Sequence, residues 1–428
     1  MNWQRSAVLM VTLNVLIGNA QLAMGVELAR GQGVLTRAKR DYFPIGMRLG
    51  TFKFLPTLSS NNEWRDNIYS SQATATQDLI FHIQPGAVIS SDWNRHALNF
   101  SALGDFQSYA SNSSEDKDNY SFDLNGKFDV LKTSFAHANL AYANQYENRG
   151  QATSIFGDPS SGDRALKPTN YQSLIAALGY EHKINRFRFN LDHSLNKLNY
   201  QDGVSEKDSF TLIENDKNRS RTSNGSSFRL GYELSSSYEA FFRANYNFID
   251  YDSQFGADGL QRSSTGYSGA TGVSIDITKL LVGDVYVGYQ VQDYVDPVLK
   301  TVSGLSGGLS LKWNPTGLTT VTSKGTRTID ETVQGTSSGV LNTMVTLDVD
   351  HELLRNILLN VNVGYSINEF QGGNNRVDTG YNFGFGAKYL LNRHFYLASG
   401  YGMSSRTSDI ANADYTTNSF SLTLGSQL

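Results

Sequence analysis

At 428 residues the chain has room for two or three ordinary domains, yet only 18% of it is charged and it holds 39 Gly, 23 Tyr, 23 Phe and no Cys. The missing thiols exclude disulfide scaffolds, thiolate metal sites and cysteine nucleophiles. A net charge of −4 offers no field that would gather nucleic acid, and a mean hydropathy of −0.36 is the average that alternating apolar and polar residues produce.

Residues 1–25 read as a secretory signal peptide. Arg5 precedes the apolar run from Ala7 to Ile17, and the small-residue close Ala23-Met24-Gly25 suits cleavage before Val26. Asn14 and the polar stretch from Gly18 to Gln21 cut the run too short for a spanning helix. An exported chain without thiols and without helical spans points to a Gram-negative envelope. Residues 26–48 form a basic lead-in with Arg30, Arg37, Lys39, Arg40 and Arg48. The plainer account is a solvated, partly disordered segment on the periplasmic side. The sharper one is contact with a periplasmic export component or with lipid phosphates.

From Leu49 to Leu428 the pattern is period two, which means strands. It is clearest where Ile357, Leu359, Val361, Val363, Tyr365 and Ile367 alternate with Asn360, Asn362, Gly364 and Ser366. Eighteen strands are expected, starting near residues 49, 77, 95, 119, 133, 171, 186, 226, 238, 266, 282, 303, 317, 340, 356, 379, 394 and 415. Short turns are expected at Asp92–Asn94, Leu131–Lys132, Lys183–Asn185, Ser235–Ser237, Lys279–Leu281, Asn314–Thr316, Leu353–Arg355 and Leu391–Arg393. Nine longer polar links alternate with them: 59–76, 110–118, 148–170, 202–225, 252–265, 293–302, 330–339, 370–378 and 406–414. Strict alternation of short and long links, with an even strand number, predicts an all-β, transmembrane, antiparallel up-and-down β-barrel over residues 49–428. Its short turns and both termini would be periplasmic. Pro85 lies inside a strand and removes a ladder donor, so a bulge is expected there. The last strand alternates Phe420, Leu422, Leu424 and Leu428 with polar residues, like the insertion signal of outer-membrane proteins, though that signal usually ends in an aromatic residue.

The stretch from Tyr42 to Pro56 resembles the opening of a β-barrel porin family encoded in proteobacterial exopolysaccharide and capsule clusters. The likeness continues through Arg65–Tyr69, Gln84–Phe100 and Tyr109–Asp116, and more faintly through Asn185–Phe189 and Leu318–Arg327. The resemblance implies an outer-membrane barrel serving polysaccharide export. It carries no catalytic residues with it.

Parity assigns the two faces. The apolar set must face hydrocarbon, where an Arg or Lys at mid-bilayer costs about 2–4 kcal/mol. The other set is expected to line the lumen: Asp123, Lys127, Arg188, Asp192, Arg229, Glu233, Arg243, Asn245, Asp348, Asn360, Asn362 and Lys388, with Asp105, Asp129, Glu181, Asn247, Asp276, Asp284, Lys312 and Arg327. Their mixed signs suit a hydrated passage for a hydroxyl-rich polymer better than an ion-selective channel. Pairing of these groups across strands is the commoner role for any single one. The links 148–170 and 202–225 are candidates to fold inward, the first because of its apolar Ile155-Phe156. Tyr42, Tyr69, Tyr109, Tyr142, Tyr246, Tyr365, Tyr389 and Tyr401 recur near strand ends, as interfacial girdles do.

Seven His occur without a metal-ligand spacing, and no nucleophile elbow or phosphate loop is present. His193 falls on the lipid parity without a convincing Ser or acid partner, so a wall-embedded hydrolase is the third reading. The first is a non-enzymatic conduit for exopolysaccharide or capsule in the Gram-negative outer membrane. The second is a general diffusion porin for small solutes. No cofactor or metal is implied. The expected partners are outer-membrane lipid and lipopolysaccharide, the outer-membrane assembly machinery, the polysaccharide and periplasmic export components.

Overall fold

The computed structural model describes residues 32–428 except 38, 40, 73–74, 151–166, 202, 205–211, 214–216, 257, 278–279 and 374. The proposed signal peptide and the Ile155-Phe156 cluster lie outside the described residues. Eighteen long strands build the wall. They are β1 Phe52–Arg65, β2 Asp78–Ser91, β3 Ala97–Tyr109, β4 Lys117–Leu131, β5 Ser134–Tyr146 and β6 Asn170–Ile184. There follow β7 Phe187–Tyr200, β8 Arg221–Ser235, β9 Tyr238–Tyr251, β10 Ser264–Ile277, β11 Leu281–Tyr294 and β12 Val302–Thr316. The last are β13 Thr319–Glu331, β14 Gly339–Leu354, β15 Ile357–Gln371, β16 Val377–Leu390, β17 Phe395–Ser408 and β18 Tyr415–Gln427.

Each strand pairs antiparallel with the next, and β18 returns to β1 from Thr57↔Gln427 to Arg65↔Ser419. The sheet is therefore a closed 18-stranded barrel, which removes the exposed edges an open sheet would carry. Short and long links alternate around it. Five of the short turns have two residues, at 132–133, 185–186, 236–237, 317–318 and 355–356. Asn185 adopts a φ of 53°, the left-handed conformation such tight hairpins need.

The wall is apolar outside. Phe122, Leu124, Phe128 and Val130 of β4 are exposed on one parity, as are Val285, Val287 and Tyr289 of β11 and Phe420, Leu422 and Leu424 of β18. In a soluble protein so wide an exposed apolar band would aggregate. In a bilayer it is the solvated face. Over most of the wall the main-chain groups are paired with neighbouring strands, as hydrocarbon requires.

Three details differ from the sequence reading. Pro85 produces no bulge: the β2–β3 register is the same on either side of it, from Ile83↔Phe106 to Gly86↔Leu103, and the ladder opens for two residues. The missing donor is absorbed by a gap because Gly104 lies beside the proline ring. Tyr109 is buried rather than part of an outer girdle, whereas Tyr246, Tyr365 and Tyr389 are exposed on the outside. The lead-in is not simply solvated. Val34 is fully buried against Leu358, Leu390 and Tyr396.

The long-link end departs from a simple cylinder. β12 and β13 pair only from Gly307↔Arg327 down to their turn. Above that point β13 and β14 lean inward. Glu331, on the outward parity of β13, accepts hydrogen bonds from Tyr251 and Ser264, both on the inward parity of β9 and β10. A Cβ on Gly339 of β14 would meet the Tyr294 hydroxyl at 2.5 Å. Gln290 reaches across the split, its amide 3.4 Å from the carbonyls of Leu305 on β12 and Arg327 on β13.

Candidate functional site: the inner wall and its mouths

The structure places the twelve principal lumen candidates on the parity opposite the exposed apolar set, and several meet. Arg188 lies between Glu181 at 3.1 Å and Glu239 at 3.0 Å. Arg229 is buried, 2.9 Å from Glu239 and 2.6 Å from Ser274. Lys183 pairs with Glu233 at 2.7 Å. Arg243 stacks over the rings of Phe241 and Tyr286 at 5.4 and 4.7 Å. Asn245 donates to Ser268, and Asn360 donates to Asp350. Lys388 sits 3.7 Å above the centre of the Tyr396 ring. Asn139 donates to both Asp123 and Asn125, while Lys127 lies over Phe135 and 3.6 Å from Asp129. Asn362 and Asp348 face each other across β14 and β15.

The pair His137–Asp192, at 3.0 Å, joins β5 to β7 across β6. It is possible only because Gly179 lies between them. A Cβ there would stand 2.2 Å from the His137 ring and 2.3 Å from the Asp192 carboxylate. Arg327 is the exception among the expected lumen residues. It stands on the parity of Val321, opposite Thr320 and Lys324, and bonds Thr343 and Glu369. Polar residues occupy both parities of β13, so alternation could not assign its faces.

At the long-link end the connections are tied by buried and half-buried arginines. Arg149 pairs with Glu115, and Arg219 with Glu147. Arg262 donates to the carbonyls of Thr332, Gly335 and Ser337, binding the 252–263 link to the 332–338 link. Arg406 donates to the carbonyls of Ala413 and Gly150. The Arg149–Glu115, Arg219–Glu147 and Arg262 contacts each hold one link against another, which fixes the shape of the mouth. Residues 147–150 of the 147–169 link are drawn into this network.

At the short-turn end the lead-in enters the barrel. The Val34 amide donates to Thr320 Oγ1 at 2.8 Å, Asn314 donates to the Gln32 carbonyl, Gln427 donates to the Tyr42 carbonyl, and Lys39 pairs with Glu352. Sequence reading missed this seat. Its trace was the apolar Val34-Leu35 pair inside an otherwise basic, polar stretch.

His193 does have a serine partner. Ser226 stands directly across from it on β8, with Oγ 3.0 Å from Nδ1. Its other cross-strand neighbour is Leu178, so no carboxylate stands opposite to orient the ring. Among the described residues no group of three or more metal-ligating side chains occurs.

The family model described as Putative beta-barrel porin 2 matches residues 40–428. The chain belongs to that family. It is an outer-membrane β-barrel of porin type, as the sequence resemblance anticipated. A search of curated proteins gave no match. Among solved structures, the chain is similar to the siderophore receptor PirA from Acinetobacter baumannii, with 8% identity, 89% of this chain and 81% of that chain covered, and a TM-score of 0.43. It is similar to Pseudomonas aeruginosa OpdO, with 11% identity, coverage of 89% and 98%, and a TM-score of 0.43. It is also similar to the FrpB iron transporter from Neisseria meningitidis, with 9% identity, coverage of 87% and 81%, and a TM-score of 0.44.

Proposed function

We propose that this barrel is a non-enzymatic conduit for export of exopolysaccharide or capsular polysaccharide, with its termini and eight short turns in the periplasm. The observation that carries the reading is the internal neutralisation of the inner wall. Arg188 and Arg229 are engaged by Glu181, Glu239 and Ser274, Arg243 lies over the Phe241 and Tyr286 rings, and Asn and Ser side chains stand beside them. Such a surface offers donors and acceptors to hydroxyls without gripping a charge, so a neutral or weakly charged polymer can slide. The resemblance of residues 42–116 to barrels of polysaccharide gene clusters points the same way. Lipopolysaccharide at the outer wall, the barrel assembly machinery and periplasmic export components are the partners this reading requires.

In this reading the Ser226–His193 pair is a hydrogen bond that satisfies two polar side chains facing hydrocarbon, not a catalytic dyad. The rival reading, diffusion of small solutes, draws on the half-exposed Lys127 in the same lumen. Deletion of the gene separates the two. Polymer retained in the periplasm and lost from the cell surface supports export. Normal surface polymer overturns it, and large open conductance steps insensitive to added polysaccharide would favour the diffusion porin.

A further inference from the structure

We propose that the described lead-in residues 32–37, 39 and 41–46 are a movable plug seated in the short-turn mouth, and that the channel opens when this segment withdraws. Val34 touches Thr320 on β13 and packs with Tyr396 on β17. Four strand spacings separate those strands, about 19 Å along the wall. A single residue whose amide meets Thr320 while its side chain packs in the cluster of Leu358, Leu390 and Tyr396 must lie inside the arc, within the mouth. The segment's other contacts continue the path: Asn314 at the end of β12, Glu352 on β14, Leu358 on β15, Leu390 on β16 and Gln427 on β18. Together they span seven consecutive strands of the eighteen.

What holds the segment differs from what holds the wall. Its backbone-to-backbone hydrogen bonds are internal, from Thr36 and Arg37 to Gly33 and from Tyr42 and Phe43 to Lys39. Among the described residues, 32–46 add no ladder to a barrel strand. These residues dock through buried Val34 with half-buried Leu35 and Tyr42 packed beside it, the Lys39–Glu352 ion pair and a few hydrogen bonds to barrel side chains. The tie can break without opening the sheet, whereas the wall strands cannot separate without losing whole ladders. The short strand Met47–Leu49, which folds back on β1, tethers the segment at its far end.

The test uses the full chain, which has no native cysteine. A Cβ added to Gly33 would lie 3.6 Å from the Thr320 Cβ, within disulfide range. The double variant Gly33→Cys/Thr320→Cys is read in planar bilayers with potassium chloride, oxidised and then reduced. The expected result is a linked protein whose openings fall at least fivefold and return on reduction. Equal conductance in both states, with the link verified by mass, overturns the movable plug. Failure of the pair to link under oxidation overturns the docking itself. A second variant, Val34→Asp, leaves every wall residue intact and is expected to raise open probability at least fivefold. Unchanged opening, with heat-modifiable migration showing a folded barrel, counts against the proposal. Because the readout is small-ion current, this result stands or falls separately from polysaccharide export.

Discussion

The Tyr251 hydroxyl donates to Glu331 at 3.2 Å although β9 and β13 lie four strands apart in the wall. That contact, with Ser264 on the same carboxylate, holds the top of β13 against the inner surface of β9–β11. The long-link mouth is thereby narrowed by the wall's own hairpin. Because Arg262 secures the tip of that hairpin through three carbonyls, Arg262→Ala is expected to release it. Stripping a charged donor from three acceptors is expected to destabilise the folded barrel by about 2 kcal/mol. Single-channel current noise should rise as the tip moves, and urea unfolding in liposomes measures the stability. Unaltered noise and stability would show that the hairpin is held by other means.

Gly179 tests the packing of the inner wall. A methyl group at this position would overlap the His137–Asp192 pair. Gly179→Ala is expected to cost about 1–3 kcal/mol, the usual penalty for overpacking. Adding His137→Ala should recover part of the loss, by clearing the imidazole and giving the Asp192 carboxylate room to turn aside. A double variant as unstable as the single one would place the strain elsewhere.

The outer serine–histidine pair gives a third prediction. Ser226→Ala and His193→Ala should each change stability by less than about 1.5 kcal/mol, the net worth of one hydrogen bond. Neither the native protein nor the variants should react with a fluorophosphonate probe in detergent micelles. Labelling that vanishes in Ser226→Ala would establish a nucleophile and end the non-enzymatic reading.

Much of this architecture is legible from period two alone, for a physical reason. Lipid on one side and water on the other force alternation wherever a strand crosses the bilayer. The starts expected at 238 and 415 coincide with Tyr238 and Tyr415. Where that force is absent, the reading drifts. β8 begins at Arg221, five residues before the expected 226, because Arg221–Gly225 are polar or glycine on both parities. The first strand starts at Phe52 rather than 49 because Met47–Leu49 turns back upon it through Gly50, whose φ is 61°. The mouths were illegible for a different reason. Val34 finds Thr320 across 286 positions, and Tyr251 finds Glu331 across 80. Contacts of that range leave no local periodicity.

A chain without cysteine allows the two faces of one strand to be compared directly. Leu124 and Asn125 are neighbours on β4, the first exposed on the apolar wall and the second beside Asp123 and Asn139 on the opposite face. Single variants Leu124→Cys and Asn125→Cys, reconstituted in liposomes, are exposed to a membrane-impermeant maleimide. The thiol in place of Asn125 should label rapidly through the water-filled interior, while the one in place of Leu124 stays protected until detergent strips the lipid. Equal labelling of both, or the reverse order, would contradict a barrel that turns its apolar face to hydrocarbon and encloses water.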